Sequence, residues 1–356
     1  MTGPSATAAP KAESKGGAHP PWGHAMSPAW WHLDNRFPRL GEAEQGGGIG
    51  KGGYGVVFNG FDQLRQKQVV IKRQPPETAA AAREIAAYRM LEAFPHPNLL
   101  RMHGTWTAQF DRTAYLYIAM EACNTSLWKC IGVGNPAKRA NWLTTNKRQQ
   151  ILLGIVRGAG YLHFLGVVHG DLSMSNILLT SELEAKVADF GAVTGHTFLT
   201  PDKLCVAYIR PPEAILGSER KARGVDTWAV AITALALYTS QVPTLLEGND
   251  DAGEAERSKY VFRQTLTLLP PLTDSIWPEH STLPLWDQHK VLRILCPSTD
   301  GLRVFIEEHY VDNVTGNQPA AAHSFIECGL RWNPDSRSTM DELESLLLAA
   351  SDEQDG

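Results

Sequence analysis

A few short segments in fixed order constrain this chain more than its composition does. His169-Gly170-Asp171-Leu172-Ser173-Met174-Ser175-Asn176 offers an Asp and an Asn, and Asp189-Phe190-Gly191 follows about a hairpin's length later. Upstream stand a glycine loop (Gly50-Lys51-Gly52-Gly53-Tyr54-Gly55), a Lys closing Val69-Val70-Ile71-Lys72, and Glu84. Each segment alone is a weak signal, because Asp and Asn are common turn formers and glycines common linkers. Together, in this order and spacing, they are not expected by accident. The residue types share one chemistry. A carboxylate and a neutral amide suit a hard cation that also binds phosphate oxygens, and glycines let backbone N–H groups face phosphate closely.

Bulk properties bound the reading from outside. A chain of 356 residues, 43% hydrophobic and 20% charged, can bury a substantial core and form a two-lobed unit plus a tail. The formal net charge of −5 gives no general attraction to nucleic acid or to anionic membranes, so neither is expected as a partner. Cys123, Cys130, Cys205, Cys296 and Cys328 are scattered and odd in number, with no Cys-x-x-Cys pair. That argues against a disulfide framework or a zinc site and suits an intracellular compartment, cytoplasmic or nuclear. No apolar run reaches the roughly 18–20 residues of a membrane span, and the first residues do not read as a signal peptide. The sequons at Asn124 and Asn313 read as chance matches.

Residues 1 to about 45 are rich in Ala, Gly, Pro and Ser, which predicts a disordered extension. Within it, Pro28-Ala29-Trp30-Trp31-His32-Leu33 is apolar enough to dock, on the lobe's own surface in preference to a partner. Strands are expected around Ile49–Val57 and Gln68–Lys72, and another over Thr113–Glu121. Pro75-Pro76 opens a helix with Glu77 in its first turn, running to about Ala93 and ended by Phe94-Pro95-His96-Pro97. After Asn124 the periodicity is helical. Ile151, Leu152, Ile155, Ala159 and Leu162 share one face of a helix over Thr145–Leu165, and Val225–Tyr238 is apolar nearly all round. An amphipathic helix closes the chain over Met340–Ala350. Lys72 lies on an apolar strand and needs a partner, which Glu84, on the inward face with Ile85 and Tyr88, can supply.

The constellation resembles the core of a protein kinase, which implies an α+β bilobal fold. Residues 46–123 would form a small β-rich lobe with one key helix, and 124–350 a larger helical lobe, with the nucleotide cleft between them. The resemblance implies ATP and Mg²⁺. Asp171 is then the catalytic base, Lys72 the phosphate-binding Lys held by Glu84, and Asn176 and Asp189 the metal ligands. Gly50, Gly52 and Gly55 would cover the phosphates, with Ile49 and Val57 over the adenine. Met120 would be the gatekeeper, and Glu121 and Cys123 would bond adenine through their backbone. His169 and Phe190 would pack as supports. Arg210-Pro211-Pro212-Glu213 resembles the segment closing the activation loop, with Glu213 paired to Arg337 and Asp226 tied to the catalytic loop's backbone.

From about Ile49 to Leu348 the likeness is to the cyclin-dependent kinases and their proline-directed relatives. Thr78-Ala79-Ala80-Ala81-Ala82-Arg83-Glu84 stands where that family has its cyclin-binding helix, and Phe262-Arg263 through Trp277-Pro278 follows its later pattern. The departures are specific. Gly170 stands for an Arg, Thr194 for another in many relatives, Ser173 for a Lys, Val206 for a Thr, and Ala82 for a large residue inserted into the cyclin. Only Arg83 remains to receive an activating phosphate, with Thr197 and Thr200 as acceptors, and Tyr54 stands where similar kinases carry an inhibitory one. The resemblance implies phosphorylation of protein Ser/Thr, with a following Pro favoured. A pseudokinase, or a kinase of Tyr or dual specificity, is the alternative, and a cyclin-like partner is an open question that Ala82 weakens.

Overall fold

The β-branched and aromatic runs expected as strands pair into a single antiparallel sheet. The computed structural model describes residues 36–37, 48–52, 55–132, 143–195, 205–218, 223–244, 253–295, 300–310 and 319–352. In it, β1 (Gly50–Gly52), β2 (Gly55–Asp62) and β3 (Lys67–Gln74) are followed by helix α1 (Ala79–Ala93). Then β4 (Met102–Phe110) and β5 (Thr113–Glu121) complete five strands in the order β1-β2-β3-β5-β4. Register places Val57 opposite Lys72, Lys72 opposite Ile118, and Val70 opposite Met120. Since alternate residues share a face, Val70 and Lys72 are set on one side of the sheet.

Helix α1 begins later than Pro75-Pro76 implied. Thr78 is extended, and its hydroxyl accepts the N–H of Ala81 at 3.0 Å. That cap fixes the first helical residue as Ala79 and leaves Glu77 outside the first turn. Phe94 ends the helix as expected.

From residue 125 onward short strands give way to helices. Strand β6 (Thr125–Ser126) and helix α2 (Leu127–Ile131) lead to the long α3 (Thr145–Phe164), whose Ile151, Leu152, Ile155, Ala159 and Leu162 are fully buried. Strands β7 (Val167–Val168), β8 (Ile177–Leu179), β9 (Ala185–Val187) and β10 (Thr194–Gly195) follow. They pair β6-β8-β9 and β7-β10. Next come α4 (Pro212–Ile215) and α5 (Gly224–Thr239), every residue of which is buried, as an all-round apolar helix requires. Helices α6 (Glu254–Leu268), α7 (Trp286–His289), α8 (Gly301–His309), α9 (Pro319–Gly329) and α10 (Met340–Asp352) follow, with α9 packed on α5 and α10 on α3. The result is an α+β fold of two parts, sheet first and helices second.

Two residues of the expected extension are anchored to the sheet. Phe37 is 2% exposed, and its ring stacks on Trp106 at 5.0 Å, which stacks in turn on its cross-strand neighbour Tyr117 at 5.3 Å. Arg36 bonds the buried Asp62 at 2.7 Å and the His103 carbonyl at 2.8 Å. Burial alone would raise the Asp62 pKa, but hydrogen bonds from Arg36 and Arg65 outweigh it and hold the carboxyl well below its usual range. The cluster around Trp30-Trp31 lies outside the described residues. Phe37→Ala should lower unfolding free energy by about 2–3 kcal/mol, the burial and stacking of one aromatic ring. Phe164→Ala, at a ring 81% exposed, should change it by less than about 0.5 kcal/mol in the same denaturant titration.

Candidate active site

The sheet and the helical part enclose a cleft of about 480 Å³. Ile49, Val57 and Val70 line it from the sheet, and Leu178 and Ala188 from the helical part. The polar side chains gather in it too: Lys72, Asp171, Asn176 and Asp189. Local structure explains why they converge. Strands β8 and β9 form a hairpin with Ile177 opposite Val187, and the Ala188 N–H continues the ladder to the Asn176 carbonyl at 2.8 Å. Asn176 and Asp189 thus leave the same end of one hairpin.

Lys72 is buried, and its Nζ lies 2.9 Å from both Glu84 carboxylate oxygens and 3.1 Å from Asp189. Burial would lower its pKa, but Glu84 and Asp189 outweigh that and raise it, so the ammonium stays charged. Gln74, fully buried two residues further along β3, donates to Glu84 at 2.8 Å. The sequence reading missed this contact, because a Gln at a strand's end reads as a solvent-facing residue. Helix α1 has further anchors: Arg83 Nε donates to the Gly191 carbonyl at 2.8 Å, and Tyr88 meets Phe190 edge-on at 5.0 Å.

Asp171 has both carboxylate oxygens occupied. Oδ2 accepts from Asn176 Nδ2 at 3.0 Å and Oδ1 from the Val206 N–H at 3.2 Å. Its pKa is raised, chiefly by burial. Asp189 has left-handed backbone (φ 62°), a conformation that costs energy for a non-glycine residue and is held here by its surroundings. Phe190 and His169 are fully buried beside it, in the supporting role expected of them.

Glycine is required where the roof turns. A Cβ at Gly55 would fall 2.3 Å from the Arg73 carbonyl oxygen. Gly50 and Gly52 pair with Val57 and Gly55, while Gly53 and Tyr54 lie outside the described residues. Glu121 and Cys123 line the cleft, and Met120 closes it while accepting from the Tyr88 hydroxyl at 3.0 Å. Burial pushes the Cys123 thiol up to about 12.

The supports expected from Asp226 and Glu213 are present. Asp226 is buried and accepts from the N–H groups of His169 (2.8 Å) and Gly170 (2.9 Å), and it pairs with His163 at 2.9 Å. Burial opposes its charge, yet the contacts with His163 lead the effects that keep its pKa below the usual value. Gly170 has φ 78°, a conformation glycine adopts without strain. Glu213 and Arg337 form a bidentate pair at 2.7 Å, with the guanidinium over Trp228.

Residues 43–346 match the protein kinase domain family, and the chain belongs to it. Its likeness is to cyclin-dependent and mitogen-activated kinases. It is 27% identical over 227 residues to mitogen-activated protein kinase 15 of Caenorhabditis elegans, covering 59% of this chain and 46% of that protein. It is 27% identical over 308 residues to cyclin-dependent kinase 12 of the same organism, covering 83% and 39%. To cyclin-dependent kinase 10 of Bos taurus it is 26% identical over 268 residues, covering 73% and 69%. The match thus spans less than half the length of the first two relatives. Membership implies use of ATP and a divalent metal ion. Among the described residues no helix is long and apolar enough to cross a membrane, and no group of three or more His, Cys, Asp or Glu could hold a metal by itself. An Asn and an Asp at one hairpin end fit a cation whose remaining ligands are phosphate oxygens and water.

Gln74→Leu should loosen helix α1 by removing a hydrogen bond to a charged group, worth about 1.5–3 kcal/mol. The measurement is amide hydrogen exchange over Ala79–Ala93, where protection should fall while that of α5 is unchanged.

Proposed function

We propose that the protein is an ATP- and Mg²⁺-dependent kinase that phosphorylates Ser/Thr of protein substrates, preferring a following Pro. The observation that carries this is the preassembled set of Lys72–Glu84, Lys72–Asp189 and Asp171–Asn176 contacts in one cleft. Lys72 would hold the α- and β-phosphates, with Ile49 and Val57 over the adenine and the backbone of Glu121 and Cys123 bonding it. Mg²⁺, held by Asn176 and Asp189, would neutralise phosphate charge. Asp171 would orient the substrate hydroxyl and receive its proton as that oxygen bonds to the γ-phosphorus. The bond from that phosphorus to the β–γ bridging oxygen breaks, and ADP leaves.

The Pro preference is supported by Cys205. Its backbone is left-handed (φ 30°), and its carbonyl accepts from Arg210 Nη2 at 2.9 Å. Arg210 also contacts Glu254 and Ser258 on α6. Because Val206 bonds Asp171, this carbonyl lies one residue from the catalytic carboxylate's contact. A carbonyl engaged by Arg210 offers less to a substrate N–H, and Pro alone has none to satisfy. The nucleotide-binding pseudokinase reading draws on Ser173, which is buried and uncharged where phosphoryl transfer gains from positive charge. A protein substrate and an intracellular site fit the same reading, and Cys123, Cys130, Cys205 and Cys328 are free thiols.

Lys72→Met, Asp171→Asn and Asp189→Asn should each lower transfer to a peptide panel by about 10²-fold or more with the fold intact. Equal background transfer from wild type and all three, with Mg²⁺ and with Mn²⁺, would leave the pseudokinase. Within the panel, Ser-Pro and Thr-Pro peptides should exceed Ser-Ala and Thr-Ala. Asp171 must be ionised to take the proton, and its pKa is raised. The acid limb of kcat against pH should therefore sit above the ordinary carboxylate range, activity falling as pH drops through it.

Activation should not depend strongly on loop phosphorylation. Arg83 is already engaged by the Gly191 carbonyl, and Thr194 pairs with Val168 across β10 and β7. The Lys72–Glu84 pair is closed within the chain, without a cyclin-like partner. Thr197 and Thr200 lie outside the described residues. The Thr197→Ala/Thr200→Ala double variant should keep activity within a few-fold of wild type. A hundredfold drop, reversed by phosphorylating the Thr left in a single variant, would show that a receptor exists.

A further inference from the structure

We propose that Lys129 is the second cation of the nucleotide site, reaching the γ-phosphate from helix α2. The inference rests on the kinase reading above. It starts from the charges in the cleft, whose described lining includes four carboxylates, Glu84, Glu121, Asp171 and Asp189, and two lysines, Lys72 and Lys129. Lys72 lies within 3.1 Å of two of those carboxylates, so much of its charge is already offset. Glu121 is paired outward to Lys186. The catalytic loop supplies no cation of its own, since Leu172, Ser173, Met174 and Ser175 fill the interval between Asp171 and Asn176. A nucleoside triphosphate carries more charge than one metal ion and one compensated Lys can balance, and its outermost phosphate gains most from a further cation.

Lys129 is placed to supply it. Among the described residues its ammonium has no carboxylate partner, and its side chain is exposed at the cleft. Helix α2 is tied to the catalytic loop. The Trp128 N–H donates to the Met174 carbonyl at 3.0 Å, which seats the residue before Lys129 against the loop between Ser173 and Ser175. The Trp128 ring also packs at 5.3 Å from Tyr208, two residues after the Asp171-bonding Val206. The stem of Lys129 therefore starts beside the loop that carries Asp171 and Asn176, and a flexible four-carbon chain suits a point charge that must reach a phosphate.

The test compares adenine ligands that differ in their phosphates. Calorimetric titrations of the full chain with Mg²⁺ would use the non-hydrolysable triphosphate with a β–γ imido bridge, ADP and adenosine. Lys129→Met should weaken the triphosphate about tenfold and leave ADP and adenosine within twofold, while Lys129→Arg keeps the wild-type preference. Ser173→Lys in the Lys129→Met background, which returns a cation to the loop, should restore part of it. An unchanged ratio of triphosphate to ADP affinity would overturn the assignment, as would an equal loss for all three ligands. A change confined to the KM for peptide would also overturn it and assign Lys129 to the protein substrate. If wild type binds none of the three ligands, the kinase reading falls as well, which sets that failure apart from a bound nucleotide indifferent to Lys129.

Discussion

The buried Lys72–Glu84 pair is the joint on which the rest of this architecture turns. It links β3 to α1, and through Asp189 it links both to the end of the β8–β9 hairpin from which Asn176 and Asp189 leave. A buried ion pair is costly to desolvate, and removing one partner of such a pair costs about 3–5 kcal/mol. Its retention here is intelligible because each charge has further partners: Gln74 bonds Glu84, and Asp189 shares Lys72. Helix α1 is thereby fixed in rotation as well as position, with Tyr88 against Phe190 and Arg83 on the Gly191 carbonyl. The chain closes this arrangement by itself.

A parallel logic governs the helical part. Asp226 sits in the first turn of α5, in an apolar helix that would otherwise give the loop at His169 and Gly170 no polar purchase. By accepting two loop N–H groups and pairing with His163, it converts one buried carboxylate into a template for backbone shape. Glu213 and Arg337 do the same between α4 and the turn before α10, with Trp228 beneath the guanidinium. Hydrophobic burial supplies the mass of the core, whereas these few satisfied charges specify how its loops lie.

Much of this was legible in residues 49–348 because charge in an apolar run demands an explanation. Lys72 on a β-branched strand asks for Glu84, and an Asp at the head of an all-apolar helix asks for backbone donors. The long face of α3 follows from periodicity, and the cleft-lining Val57 from the likeness of its glycine loop to that of protein kinases. What escaped has equally physical causes. Gln74 is polar but uncharged, so its sequence raises no alarm, and its partner is set by the β3 register. Acidic first-turn preference places Glu77 in the helix, whereas the Thr78 hydroxyl fixes the start at Ala79. Arg36 and Phe37 were hidden by composition averaged over a Gly- and Ala-rich stretch, in which two anchoring residues scarcely register. Left-handed backbone at Cys205 has no signature in side-chain type, and at Asp189 only the weak one that Asp visits that region more often than most residues.

The thiol of Cys123 carries a consequence of another kind. With its pKa pushed up to about 12 by burial, the thiol stays protonated at neutral pH. Nucleophilic attack on an electrophile proceeds through that anion. A covalent inhibitor aimed at this cysteine would therefore meet an unreactive, nearly apolar sulfur wall. Selective ligands for this cleft would gain more from fitting against Cys123 than from trying to bond to it.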